Sequence, residues 1–88
     1  MSESKFAQAE DLFRSLLRNF RQTNNLTQQE LARRLGSPQS YVSKYETGER
    51  RLDFVETLFV CEALGISLDD FVKAFSSKFA AAGRKKRD

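Results

Sequence analysis

Residues 26–48 read LTQQELARRLGSPQSYVSKYETG, a pattern of two short helices joined by a tight turn, with nearly every boundary marked. Thr27 is placed to cap the first helix, and Glu30, three residues on, to reach back to it as the second half of a capping box. Leu26 and Leu31 occupy the two positions of a hydrophobic staple around that cap. Leu31 and Leu35 are four apart and share the buried face, with Ala32 a small neighbour beside them. Gly36 stands where a helix exit takes a left-handed residue. Ser37 and Pro38 then predict an N-cap and a first helical residue, because proline lacks only a donor that is unpaired there anyway. Gly48 closes the second helix as Gly36 closes the first.

At about 100° per residue, Pro38, Val42, Tyr45 and Glu46 gather on one side of the second helix, with Val42 and Tyr45 its apolar part. Ser40, Ser43, Lys44 and Thr47 lie opposite, Gln39 projects at the N-terminal end, and Tyr41 sits on a flank. An ordinary surface helix mixes Glu, Lys and Arg. This face is small and polar, carries one positive charge and has no acid, which suits insertion into the major groove of DNA.

The remaining chain supplies helices to support this pair. Phe6, Ala9, Phe13, Leu16 and Phe20 alternate at spacings of three and four, widened by Leu12 and Leu17, and predict one helix over about residues 4–22. Thr23, Asn24 and Asn25 make the turn after it, where asparagine tolerates a left-handed conformation. Asp53 and Glu56 repeat the capping box and open a helix that runs to about Leu64, with Val55, Leu58, Phe59, Cys61 and Leu64 as its core residues. Gly65 ends it. Ser67 caps a last helix over about 68–82, with Ile66 and Phe71 as its staple and Phe75 and Phe79 following at spacings of four. Gly83 is expected to end that helix and residues 83–88 to form a basic disordered tail. The expected architecture is all-α: one compact five-helix bundle in a domain of residues 1–82.

Composition narrows the function classes. At 88 residues the chain has room for one modest core, and 40% hydrophobic residues spread throughout argue against wholesale disorder. No apolar run is long enough to span a bilayer and no signal pattern opens the chain, so the cytoplasm is the expected compartment. The single cysteine, Cys61, rules out an intrachain disulfide and reads as a core thiol. With no histidine and no second cysteine, a zinc site of the usual kind is excluded. Neither an activated nucleophile nor a phosphate-cradling glycine loop appears, so neither an enzyme nor a cofactor is expected. The net charge of +3 favours a polyanionic partner only mildly. Its distribution says more, since Arg33, Arg34, Lys44, Arg50 and Arg51 fall in or beside the helix pair.

Thr27–Ala32, Leu35–Gly36, Gln39–Ser40, Val42–Ser43, Tyr45–Glu46 and Gly48 together resemble the Cro and phage-repressor type of helix-turn-helix, the Xre-like family, and the likeness covers roughly residues 17–71. The resemblance implies a lambda-repressor-like DNA-binding fold whose second and third helices form the motif, at residues 27–47. It implies that Gln28 anchors a backbone phosphate and that Gln39, Ser40 and Lys44 face base edges; Ser43, on the same face of the helix, is a further candidate for base contact. The chemistry suits this: glutamine pairs bidentately with adenine, and lysine donates to guanine. Arg50 matches a basic residue that meets the DNA backbone, and Arg51 extends the same loop. The family often has proline two residues after this arginine; Leu52 stands there instead. Tyr41 has two readings, a DNA contact at a phosphate or thymine methyl, or packing on the flank of the preceding helix. Arg21 and Glu46 correspond to an ion pair that ties the first helix to the end of the recognition helix. A recognition helix of this length reads few base pairs, which implies a homodimer on a pseudo-palindrome of double-stranded DNA. Phe75 and Phe79 either pack on Phe6, Ala9 and Phe13 or contribute to that dimer. With no room for a ligand-binding domain, regulation is expected through concentration or a protein partner, and an antitoxin-like or purely protein-binding role is the alternative.

Overall fold

Asn25, Gly36, Gly48 and Gly65 all carry a positive φ, and each follows the end of a helix. They divide the chain into α1 (Lys5–Thr23), α2 (Gln28–Leu35), α3 (Gln39–Thr47), α4 (Phe54–Leu64) and α5 (Leu68–Lys85). The structure, a computed structural model, describes residues 4–85, with Arg84 and Lys85 described by their backbone alone. Lys86, Arg87 and Asp88 of the expected tail lie outside the described residues.

The helix starts follow the capping chemistry. Ser4 Oγ accepts from the Ala7 amide at 3.1 Å and caps α1. At α2, Thr27 Oγ1 accepts from the Glu30 amide at 3.0 Å and Glu30 Oε1 from the Thr27 amide at 2.8 Å, so the capping box closes in both directions. Asp53 and Glu56 make the same reciprocal pair at α4, at 2.7 and 2.9 Å. Ser67 Oγ accepts from the Asp70 amide at 3.0 Å at the head of α5.

The start of α3 departs from the expectation. Pro38, not Ser37, is the N-cap, with an extended ψ of 156°, and no side chain caps the helix. The preceding turn explains this. Gly36, at φ 68°, donates to Arg33 O, and the Ser37 amide donates to Ala32 O at 2.9 Å. That Schellman arrangement consumes Ser37 in ending α2, so the next helix starts one residue later.

Each helix contributes to one core. Leu17, Leu31, Val42, Val60 and Cys61 are fully buried, and Leu16, Ala32, Tyr45, Leu64 and Phe71 nearly so. Full burial of one such leucine contributes about 1.5–3 kcal/mol, so loss of any of them is felt by the whole bundle. Helix α2 packs on α3 and α4, and α1 on α3 and α5. Phe71 of α5 joins α1 through edge and tilted contacts with Phe13 and Phe20, at ring distances of 5.7 and 6.1 Å. Gly48 is favoured by its φ of 89°; a Cβ there would meet only the movable guanidinium end of Arg14, at 2.9 Å from Cζ.

Three expectations are corrected. Val55 and Phe59 point outward, at 56% and 55% exposure, and the buried face of α4 is Thr57, Val60, Cys61 and Leu64. Phe6 is 72% exposed and stands off the core that Phe13, Leu16, Leu17 and Phe20 of the same stripe help build. Gly83 does not end α5, which continues to Lys85. An exposed interior glycine costs only about 1 kcal/mol, and Ala80, Ala81 and Ala82 before it are strong helix formers. Phe75 is half-buried against the core, while Phe79 stacks on it at 5.7 Å and remains half exposed.

Two predictions follow from these local balances. The Tyr45 hydroxyl is buried without a hydrogen-bond partner among the described residues. Burial, and then the neighbouring Glu46 charge, push its ionisation far above the usual range. A buried donor left unpaired costs about 1–3 kcal/mol, so Tyr45→Phe should leave the unfolding free energy from urea titration unchanged or raise it by up to about 1 kcal/mol; a clear loss of stability would refute the unpaired hydroxyl. The carboxyls of Glu30 and Glu56 are held below the ordinary range, in both cases first by the backbone amide of the N-cap residue. The unfolded chain therefore binds more protons than the folded one in that window. Stability should be level at neutral pH and decline as pH falls through the lowered values, with a shallower decline in Glu30→Gln. Urea titrations across the acid range would show it, and an equally steep decline in the variant would count against the cap as its source.

Candidate nucleic-acid interface

Helix α3 is held by one side only. Val42, Tyr45 and Glu46 are buried, whereas Gln39, Ser40, Lys44 and Thr47 are exposed and Ser43 is half-buried. The exposed set is hydroxyl, amide and ammonium, with no carboxylate. Because no side chain caps α3, the positive end of its dipole is left at the end from which Gln39 and Ser40 project. The arrangement can donate and accept hydrogen bonds along a groove and attract negative charge at its leading end.

Glu46 fixes how this helix sits. Its side chain is 1% exposed, and a carboxylate so buried needs charge and hydrogen bonds around it. Arg21 supplies a bidentate pair, Nε to Oε2 at 2.7 Å and Nη2 to Oε1 at 3.0 Å, while its Nη1 donates to Leu26 O at 2.9 Å. Gln28 Nε2 donates to Oε1 at 2.9 Å, and Arg18 Nε stands 3.7 Å from the same oxygen. Gln39 Nε2 reaches Gln28 Oε1 in a long hydrogen bond of 3.4 Å. One chain of contacts thus runs from α1 through the carboxylate to the first residue of α3. The Glu46 hydrogen bond raises the already high pKa of Arg21 and outweighs the opposing effect of burial.

A second cluster lies on the α3–α4 side. Arg50 Nη2 donates to Glu56 Oε2 at 2.5 Å, the Tyr41 hydroxyl donates to the same oxygen at 3.1 Å, and the Arg50 guanidinium stacks 5.1 Å from the Tyr41 ring centroid. Burial and then Glu56 raise the Tyr41 pKa. Arg51 and Lys44 stay exposed beside this cluster.

The structure brings Gln28, Gln39, Arg21 and Glu46 together and places Ser40, Ser43 and Lys44 on one face. Tyr41 and Arg50 meet each other through Glu56. Two features escape the sequence reading. Glu56 reads as a cap alone, and nothing in its spacing signals that its second oxygen would face Tyr41, 15 residues earlier in the chain. Gln28 is expected as a phosphate anchor, and nothing in its spacing signals that its amide would also donate to Glu46. Arg34 is also committed, donating to Ala63 O at 2.9 Å.

The other features of the surface lie apart from this face. An open apolar groove of about 360 Å³ between α1, α4 and α5 is lined by Phe6, Phe13, Phe54, Phe71, Val72 and Phe75, and no residue of α2 or α3 lines it. Cys61 is buried, and burial pushes its thiol up to about 11, so it is protonated at neutral pH. No group of potential metal ligands occurs among the described residues, and no helix among them is long and apolar enough to cross a membrane.

A family profile for the helix-turn-helix matches residues 17–71. Among solved structures, the chain is similar to an XRE-family like protein from Pseudomonas syringae pv. tomato, with 36% identity, 83% of this chain and 89% of that chain covered, and a TM-score of 0.78. It is also similar to the clp gene regulator ClgR from Corynebacterium glutamicum, at 26% identity, with 89% of this chain and 83% of that chain covered and a TM-score of 0.75. A variant of a restriction-modification controller protein shares the fold at 18% identity, with 99% of this chain and 100% of that chain covered and a TM-score of 0.78. No curated protein matches the chain in sequence.

Removing one partner from the buried pair should cost more than the pair contributes. Glu46→Ala leaves Arg21, 11% exposed, and the Gln28 amide without their acceptor, and is expected to lower stability by about 2–4 kcal/mol. Glu46→Gln, which keeps an acceptor oxygen, should lose less. Chemical denaturation of both variants tests this, and wild-type stability in Glu46→Ala would dismiss the network as the anchor of α3.

Proposed function

The chain belongs to the XRE-like helix-turn-helix family, and from that premise we propose that it is a sequence-specific transcriptional regulator, most simply a repressor, that binds a pseudo-palindromic operator as a homodimer in the cytoplasm. In this reading residues 27–47 are the motif, α2 the supporting helix and α3 the recognition helix in the major groove. The observation that carries it is the outer face of α3, polar and free of carboxylates, on a helix locked from behind by Glu46. Gln39, Ser40, Ser43 and Lys44 read base edges; Gln28, Tyr41, Arg50 and Arg51 serve the phosphates. Gln28, bridging Glu46 and Gln39, orients the reading glutamine as well. That ClgR, at 26% identity, is a gene regulator supports the same class of function.

A homodimer follows from information content, since one helix of nine residues touches too few base pairs for useful specificity. Exposed Phe54, Phe59, Val72 and Phe79 offer apolar surface to a second copy. The same surface favours the second reading, an antitoxin-like regulator that also holds a protein partner.

Selection from a random duplex library near physiological salt should enrich an inverted repeat with half-sites roughly 34 Å apart, one turn of DNA. Gln39→Ala should then cost about 1–3 kcal/mol and relax the preference at one position of each half-site, whereas Arg51→Ala should weaken binding to all sequences alike. No enrichment from a folded sample would defeat the stand-alone regulator and turn attention to the protein partner.

A further inference from the structure

Glu56 divides its two oxygens between two tasks. Oε1 accepts from the Asp53 amide at 2.9 Å and completes the cap of α4, while Oε2 takes Arg50 Nη2 at 2.5 Å and the Tyr41 hydroxyl at 3.1 Å. A guanidinium and a hydroxyl converging on one anionic oxygen is the donor set that a DNA phosphate would meet at the same place. The carboxylate already holds it. We propose that Glu56 is an internal competitor for the DNA backbone, occupying Arg50 and Tyr41 in the free protein so that a phosphate must displace it; the inference rests on the DNA-binding reading above.

The energetics permit the exchange. The side chains of Arg50 and Glu56 are 48% and 25% exposed, and a pair this open to water contributes little to the stability of the fold. Releasing it therefore costs little, and the cap made by Oε1 need not move. While the pair is closed, its charges largely cancel beyond a few ångströms, so Arg50 adds little to the attraction that exposed Lys44 and Arg51 exert on a polyanion. The consequence is selective. Non-specific duplexes meet a surface short of one free cation and one hydroxyl donor, whereas a fitted operator holds the protein close enough for phosphate to take over from the carboxylate. Glu56 thus sets the background against which the operator is recognised, by restraining the affinity for all other DNA.

The test uses the full chain and two labelled duplexes, a selected operator and a scrambled sequence, titrated across a range of salt. Glu56→Gln keeps an acceptor for the Asp53 amide but gives Arg50 no charged partner. It should bind the scrambled duplex roughly five- to tenfold more tightly, with a salt slope steeper by about 0.9 because one more phosphate is neutralised. Asp69→Asn removes an equal charge from the first turn of α5, a helix that does not form the α3 face, and should change binding less than twofold. In an Arg50→Gln background the gain from Glu56→Gln should vanish. Thermal unfolding of each variant separates binding from folding. Weaker binding by a folded Glu56→Gln would overturn the proposal and make the carboxylate a positioning residue for Arg50. A gain that persists without Arg50, or that Asp69→Asn equals, would overturn it as a plain effect of net charge. Wild-type protein that binds neither duplex even at low salt would remove the DNA-binding reading as well. Wild-type binding with no gain in Glu56→Gln would remove this inference alone.

Discussion

The carboxylate of Glu46 sits where water cannot reach it, and a charge in that position must be answered from every side or not exist. The answer comes from α1 through Arg21 and Arg18 and from α2 through Gln28. Three helices are thereby bound to one pair of oxygens. Apolar packing alone tolerates sliding and rotation of a helix as short as α3, because Val42 and Tyr45 can be accommodated in more than one way. A bidentate guanidinium is less forgiving: a small rotation breaks both bonds at once. The buried pair specifies a position more than it adds stability, and the direction in which Gln39, Ser40 and Lys44 point depends on it.

Glu46 and Glu56 show how burial divides the work of chemically identical groups. Both meet an arginine and both accept from a second side chain. With its side chain 1% exposed, Glu46 cannot lose a partner without leaving a charge that water does not solvate, so its contacts behave as part of the scaffold. Glu56 faces water, which can replace any partner it loses, so its contacts are open to exchange. A rigid support behind the helix and a yielding contact at its flank serve one surface differently.

Much of this architecture is written locally in the chain. Both capping boxes, the left-handed exits at Asn25, Gly36 and Gly65, and the buried face of α3 each depend on residues a few positions apart, and periodicity reports such relations directly. The misreadings arise where a local rule has two solutions. Ser37 can begin one helix or finish another, and the hydrogen bond to Ala32 O selects the second. Helix α4 carries apolar residues nearly all round, so spacing cannot say which of them turn inward, and Phe54, Val55 and Phe59 turn out. At the candidate interface the residue types of α3 were legible, whereas the meeting of Gln28 with Glu46 and of Tyr41 with Glu56 depends on how helices dock. No sequence period encodes that.

Cys61 has a consequence for how the protein can be observed. It is the chain's one thiol, it lies fully buried in the core on α4, and burial keeps it protonated. Only a thiolate in contact with solvent reacts with an alkylating reagent. Its labelling therefore waits on transient opening of the interior, and a bulk alkylation rate, compared with that of a free thiol, reports how often the native bundle opens in plain buffer. The molecule carries its own clock for opening, at a buried site apart from the exposed face of α3.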